Sequence, residues 1–281
     1  MKRTCFILLL LFVALCAEAV NVDSIRLANA PRKRFKVSDE ATGYRVAVNL
    51  FGAQRMISVM RFSPKHLKTK IVCRDLENLT TAQAGESVGG LLGINGTFPH
   101  SYERVNGEDL SPTTGWVADF VDGLILIYND RYDIVGTKDM PYYTDYSAKC
   151  DNILASGPVL IEDGVPRCHD HVTSEGSHYP ERIQRLYSIT HPRSVVGIDR
   201  EGYVYFIVVD GRHEGVAKGF SMTQLTQVCQ WLGLHEAINL DGGGSSTLWT
   251  KKYGVLNYPC DNRELDHAGL RCVRDHLIVI K

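Results

Sequence analysis

The chain is short of most features that would assign it at once. Neither charge sign is in surplus: 31 Lys and Arg stand against 32 Asp and Glu, a net of −1. Without a concentrated basic face, nucleic acid is set aside as a partner. Beyond residue 20 no apolar run is long enough to cross a bilayer as a helix. There is no internal repeat and no low-complexity linker. The absence of C-x-x-C and H-E-x-x-H removes the commonest zinc spacings. Residues Gly242–Thr247 lack the lysine and four-residue spacer of a P-loop, and they do not form a Gly-x-Ser-x-Gly elbow. What remains is a charge-balanced chain whose 44% apolar residues support a sizeable core.

The N-terminus carries an export pattern. Lys2 and Arg3 precede an apolar run from Phe6 to Leu15, and Ala17-Glu18-Ala19 supplies a small-residue cleavage signal. Residues 1–19 are therefore expected to be a signal peptide, with delivery to the periplasm or the exterior. Bulky Leu15 disfavours a lipid anchor on Cys16. Cys73, Cys150, Cys168, Cys229, Cys260 and Cys272 remain in the mature chain, and an exported setting permits disulfides. Cys260 and Cys272 flank a polar loop and are the expected pair, whereas Cys229 on an apolar helix face reads as a free thiol. No obligate protein partner is evident.

Short β-branched runs punctuated by Gly, Asp and Asn predict the strands of a mixed sheet, and with a few helices they give an α+β fold. A single domain over residues 20–281 is expected. The clearest helix runs from Met222 to Leu232. Ser221 and Gln224 form a capping box, Met222, Leu225, Val228, Cys229 and Leu232 repeat at helical spacing, and Gly233 ends it. A shorter helix is predicted around Thr81–Val88. Together, Tyr203–Val209, the long helix and Ala237–Leu240 read as a strand–helix–strand unit with parallel strands and both carboxyl ends on one edge. Ligands in such units bind outside those ends.

The segment Asn239-Leu-Asp-Gly-Gly-Gly-Ser-Ser-Thr-Leu-Trp249 stands at one of these ends. Three successive glycines give up much backbone entropy, so a folded domain keeps them where side chains would obstruct something. Asp241, the bare N–H groups of Gly242, Gly243 and Gly244, and the hydroxyl of Ser245 suit an anionic or sugar ligand close to the main chain. Asp210-Gly-Arg212 stands at the other end, and the topology brings it into the same crevice; an Asp-Gly turn is the plainer reading. Arg193 in His191-Pro-Arg-Ser194 is either a surface residue or a planar fork for phosphate. Asn95-Gly96 follows a strand and reads equally as a turn. The densest histidine group is His169-Asp-His171 with His178, in a polar loop where solvated histidines are usual. No cofactor is expected, with a divalent metal as the lesser alternative.

Taken in order, Asn95-Gly-Thr-Phe98, Ser156-Gly-Pro-Val159, Pro192-Arg-Ser-Val-Val-Gly197, Asp210-Gly-Arg212, the helix with Gly233, and Asn239–Thr247 resemble the phosphodiester glycosidase family. The likeness spans about residues 70–281 and leaves 20–65 unmatched. His191-Pro-Arg-Ser194 departs from the usual Arg-Thr, and Phe98-Pro99 from a second aromatic. The resemblance implies a glycoside hydrolase that splits the C1–O bond of a sugar-1-phosphodiester. For that reaction the chemistry of these residues leads us to expect Arg193, Arg212 and Gly242–Gly244 at the phosphate, with Asp241 or Asp210 as base. Asn95, Ser194 and Ser245 would orient the sugar. Rival classes are a carbohydrate-binding export protein without catalysis and a metal-dependent phosphodiesterase.

Overall fold

A computed structural model describes residues 21–73, 78–98, 102–109, 121–136, 150–168 and 181–281. The expected signal peptide, the group His169, His171 and His178, and Pro99 lie outside them.

The chain enters through helix α1 (Val22–Asn29) and an antiparallel meander of β1 (Arg32–Lys36), β2 (Ala41–Leu50) and β3 (Ala53–Phe62). It then leaves for a second sheet through β4 (Lys68–Cys73), helix α2 (Thr81–Ser87) and β5 (Leu92–Asn95). A third sheet takes β6 (Tyr102–Val105), β7 (Glu108–Asp109), β8 (Gly123–Ile127), β9 (Tyr132–Gly136) and β10 (Asn152–Ser156). The chain returns to the first sheet with β11 (Val159–Glu162), β12 (Val165–Pro166), helix α3 (Glu181–Ser188), β13 (Arg193–Asp199), β14 (Val204–Val209), helix α4 (Met222–Trp231) and β15 (Leu234–Asn239). It closes the second sheet with β16 (Leu248–Thr250), β17 (Gly254–Val255) and β18 (Asp275–Ile280).

The first sheet has the order β1-β2-β3-β14-β13-β15-β11-β12. Its central strands are buried on both faces, and side-chain alternation divides them. Even-numbered Met60, Phe62, Val196, Ile198, Val204, Phe206, Val208, Ile238 and Leu240 meet Leu92, Ile94, Leu277 and Val279 of the second sheet and Ile125, Ile127 and Leu154 of the third. Odd-numbered Ile57, Val59, Val195, Ile207, Val209 and Ala237 meet the helices through Leu27, Met222, Leu225, Val228 and Cys229. Burial on two faces explains why β14 reads as a continuous apolar run rather than an alternating one.

Helix α4 forms as its spacing requires. The Gln224 amide donates to Ser221 Oγ at 3.3 Å and the Ser221 amide to Gln224 Oε1 at 3.2 Å, and Gly233 takes φ +81° at the end. In α2 Thr80 and Gln83 build the same box. The topology differs from expectation at one point. Strands β14 and β15 do run in the same direction, but β13 lies between them and is antiparallel to both. Every strand pairing among the described residues is antiparallel, so the expected mixed sheet is an antiparallel one. The β13–β14 hairpin fills the slot that a direct crossover would have taken. As a result the amino end of β13 emerges between the carboxyl ends of β14 and β15.

The cysteines also differ. None of the six described cysteines is in a disulfide, Cys260 and Cys272 included, so the expected pair is not formed. Cys260 turns inward, where its Sγ accepts from Arg212 Nη1 at 3.8 Å, while Cys272 is exposed.

Candidate active site

Alternation settles which strand-end residues share a surface. Arg193 and Asp241 continue the odd-numbered, helix-facing rows, whereas Ser194 and Asp210 continue the even-numbered rows between the sheets. The cleft lies on the helix side. It holds about 280 Å³ and is walled by His191, Arg193, Arg212, Asp241, the three glycines and Arg271, with Phe98 and Leu186 as its apolar rim.

Arg193 is 2% exposed. Its Nε donates to the Phe220 carbonyl at 3.0 Å, and Nη2 donates to the Leu186 and Ile189 carbonyls at 2.7 and 2.8 Å. No carboxylate pairs with it among the described residues. Burial pushes its pKa down to about 10, and neighbouring Arg212 pushes the same way. It is therefore still cationic at neutral pH, and its charge is left for a ligand to compensate.

Arg212 stands at the mouth with φ +64°, a left-handed conformation that is uncommon for a non-glycine residue. Its Nε donates to His191 Nδ1 at 3.4 Å. Burial, with Arg193, Arg212 and Arg185 adding, pushes His191 down to about 4. The imidazole is thus neutral and accepts from Arg212 rather than repelling it. Arg271 completes the ring, held by Asp261 through Nε and Nη2 at 2.7 and 2.8 Å. Three guanidinium groups thus surround one carboxylate.

That carboxylate is Asp241. Its Oδ2 accepts from Ser245 Oγ at 2.6 Å, and its own carbonyl accepts from Asn95 Nδ2 at 2.7 Å. Burial raises its pKa, opposed by Ser245, Arg271 and the Gly242 amide. A raised pKa makes this carboxylate, once ionised, a stronger proton acceptor than a free aspartate.

The glycine run has a different purpose from the one expected. A Cβ on Gly242 would come 2.8 Å from the Pro192 carbonyl oxygen, and one on Gly243 would come 2.9 Å from Arg212 Nη2. A Cβ on Gly244 would overlap both Asp261 and Arg271. The glycines thus let two guanidinium groups lie against bare backbone. Their N–H groups are partly engaged already, since Gly243 donates to the Pro192 carbonyl at 2.9 Å and Gly242 to the Asp241 carboxylate. The expectation that these two amides serve a phosphate is corrected accordingly.

Three further candidates lie behind the wall. Fully buried Asn95 accepts from Ser194 Oγ at 2.7 Å and from the Thr247 amide at 3.1 Å while donating to Asp241 and Gly96. With every polar atom used, it ties β5, β13 and the glycine loop together rather than meeting a sugar, and Ser194 is enclosed with it. Asp210 is 1% exposed. Its Oδ1 accepts from the Tyr258 amide at 2.7 Å and from Asn257 Nδ2 at 3.2 Å. Asn257 in turn holds the Leu248 amide and the Ser246 carbonyl, so Asp210 supports the loop from beneath. Ser245 does not line the cleft; it meets the wall through Asp241 and through its amide, which donates to the Gly242 carbonyl at 3.2 Å.

Arg271, His191, Asp261 and Asp275 were not read from the sequence as site residues. His191 stood inside a motif examined for its arginine, and Arg271 lies in a loop without periodic pattern. Asp275, the first residue of β18, accepts from the Thr97 amide and Oγ1 at 3.2 and 3.0 Å. Burial raises it to about 7, and the Asp241 charge adds to the shift. Gly96 makes room for it, since a Cβ there would approach its Oδ2 to 2.6 Å.

Asp210 is likewise raised, from 3.8 to about 7, by burial. A carboxyl that holds its proton more tightly when folded stabilises the fold below its unfolded pKa and loses that contribution as pH rises through the folded value. Asp210→Asn removes this dependence. The variant is expected to gain on the wild type by up to about 1.4 kcal/mol per pH unit between about pH 4 and 7, levelling off above. Urea midpoints of both proteins across that range check it; a constant difference would sink the assignment.

At this edge of an α+β protein the buried Arg193 and the exposed Arg212 and Arg271 stand around Asp241, an arrangement that can seat an anion beside a carboxylate. In comparison with known proteins, residues 82–280 match the phosphodiester glycosidase family, and the chain belongs to that family. A stretch of 112 residues is 30% identical to the Bos taurus N-acetylglucosamine-1-phosphodiester alpha-N-acetylglucosaminidase, covering 39% of this chain and 21% of that protein. The Mus musculus counterpart is 26% identical over 110 residues, again 39% of this chain and 20% of the relative. The matches therefore span about a fifth of these relatives. Among solved structures, the catalytic domain of the zebrafish enzyme has a TM-score of 0.66 at 16% identity, covering 94% of both chains. A hypothetical protein from Synechocystis gives 0.61 at 15% identity, over 90% of this chain and 64% of the other. At these identities the structural likeness is one of fold.

Proposed function

We propose that the protein hydrolyses a sugar-1-phosphodiester at the sugar C1–O bond. The observation that carries this reading is the buried Arg193, which pairs with no carboxylate among the described residues and faces the same 280 Å³ cleft as Arg212 and Asp241. The phosphodiester anion sits between the two guanidinium groups, with the sugar toward Asp241. Asp241 takes a proton from a water molecule, and that water's oxygen bonds to C1. The C1–O bond breaks and its electron pair leaves on the phosphomonoester. A phosphate leaves readily without a proton, so fixed cations that gain strength as charge develops replace the second carboxyl of an ordinary glycosidase. Ser245 and the Gly242 amide hold the Asp241 carboxylate in place, and His191 steadies Arg212. The relatives' name denotes N-acetylglucosaminyl phosphodiesters, which makes that sugar the first to assay. Lys2, Arg3, the apolar run and Ala17-Glu18-Ala19 support an exported enzyme acting on a cell-wall, capsular or glycan phosphodiester.

Hydrolysis in ¹⁸O-labelled water tests the bond assignment. C1–O cleavage leaves the released phosphomonoester free of label, whereas P–O cleavage puts one ¹⁸O into the phosphate. Labelled sugar phosphate together with loss of activity on chelation would identify a metal-dependent phosphodiesterase. Binding without turnover would leave a carbohydrate-binding protein.

A further inference from the structure

A larger cavity than the cleft opens elsewhere on the first sheet, about 620 Å³ in volume. It occupies the helix-side face beyond the ends of α1 and α4. Strand register builds it. Arg34 lies across from Tyr44, which lies across from Val59, while Lys36, Thr42, Arg61 and Tyr205 form the next row. Arg32 stands at one end of this surface and Trp231 closes one side. Tyr205 is near the opposite end of β14 from Asp210, which follows the strand, roughly 17 Å away at about 3.3 Å per residue. The groove is therefore separate from the catalytic edge.

Its charges are not equivalent. Arg61 is paired with Asp199 at 3.1 Å and lies 3.3 Å over the Tyr203 ring, and Lys36 is paired with Asp39 at 2.6 Å. Arg32 and Arg34 have no carboxylate partner among the described residues. The Arg32 guanidinium sits 4.4 Å over the Tyr44 ring, and its Nε is buried without a hydrogen-bond partner. Trp231 is held flat against Phe51, with ring centroids 5.4 Å apart. Edge strands often carry Lys and Arg simply to block edge-to-edge pairing. That role needs neither aromatic walls nor a cavity of ligand size.

The geometry points to this groove as a binding site for an anionic glycan chain, with the rings of Tyr44, Tyr205 and Trp231 against sugar faces and Arg32 and Arg34 on its acidic groups. Sparse anions suit two guanidinium groups that have no carboxylate partner among the described residues. A densely charged nucleic acid would call for more unpaired cations than these two, and the net charge of the chain is −1. The choice of a glycan rests on reading the cleft as that of a glycosidase; the cationic groove itself does not.

A galacturonic-acid oligomer is the probe, titrated calorimetrically against the full chain at low salt. The expected result is binding by the wild type, at least tenfold weaker binding by Arg34→Glu, and wild-type binding by Lys33→Glu. Lys33 is the adjacent exposed residue on the other face, so the two variants change net charge equally. A neutral maltooligosaccharide should not bind at the same concentrations. Both variants should hydrolyse a small sugar-1-phosphodiester at the wild-type rate. Absence of wild-type binding, equal loss in both variants, or tighter binding of an oligothymidine of matched charge would overturn the proposal. Asp241→Asn should still bind the oligomer, so failure of the groove and failure of the glycosidase reading can be told apart.

Discussion

Replacing Asp241 by Asn is expected to lower kcat for a sugar-1-phosphodiester by about 10²–10⁴-fold, the range typical of a positioned general base. That corresponds to about 3–5 kcal/mol in the barrier. Asparagine keeps the shape of the side chain and can still pair with Ser245, so the fold and the cleft should survive. Asp210→Asn is the internal comparison. It sits on the opposite side of the sheet, buried against Asn257 and Tyr258, and its carboxyl is already half-protonated near neutral pH. Its replacement should change stability with pH while leaving kcat within a few fold. Steady-state rates of the two purified variants decide the matter. If Asp241→Asn keeps more than about a tenth of the activity while Asp210→Asn loses it, the base has been misassigned.

Arg212→Gly is expected to reduce kcat/KM by about 10²–10³-fold, the cost of removing one preorganised donor from a developing anion. Glycine is the informative replacement because residue 212 holds φ +64°, which glycine adopts freely. The backbone strain is relieved, so thermal stability should hold or rise while activity falls. Removing a guanidinium that lies against Gly243 also leaves a vacant slot beside exposed backbone. Guanidinium ion added at millimolar concentration should therefore restore part of the lost rate, and more of it than ammonium does. An unchanged kcat/KM, or a loss wholly explained by unfolding, would remove Arg212 from the phosphate.

Much of this was legible in the chain before its structure. The capping box and the apolar spacing fixed α4 to within a residue, because both signals are local. The common edge for Asp210-Gly-Arg212 and Asp241-Gly-Gly-Gly244 also followed, since β14 and β15 do point the same way. What escaped depended on pairing. The insertion of β13 between them is a long-range event, and it decides both where Arg193 arrives and which face each strand-end residue joins. Asp210 and Asp241 look alike in sequence, each following an apolar strand and preceding glycine, yet they differ in phase relative to the sheet. The glycine run was recognised as making room, but the occupants that need the room, Arg212 and Arg271, come from loops about 30 residues away on either side. Arg271 could not be seen because no periodic pattern surrounds it.

Because β13 starts at Arg193, its side-chain phase carries more than core packing. A one-residue slip in pairing would turn that guanidinium from the Phe220, Leu186 and Ile189 carbonyls into the apolar space between the sheets, among Phe206, Val208 and Leu240. It would also aim Ser194 at the helices and strand Asn95 without its hydroxyl partner. A misregistered sheet would thus bury a bare cation and break a polar lattice at one stroke. The buried member of the cleft's three arginines thus also opposes any other alignment of the central strand.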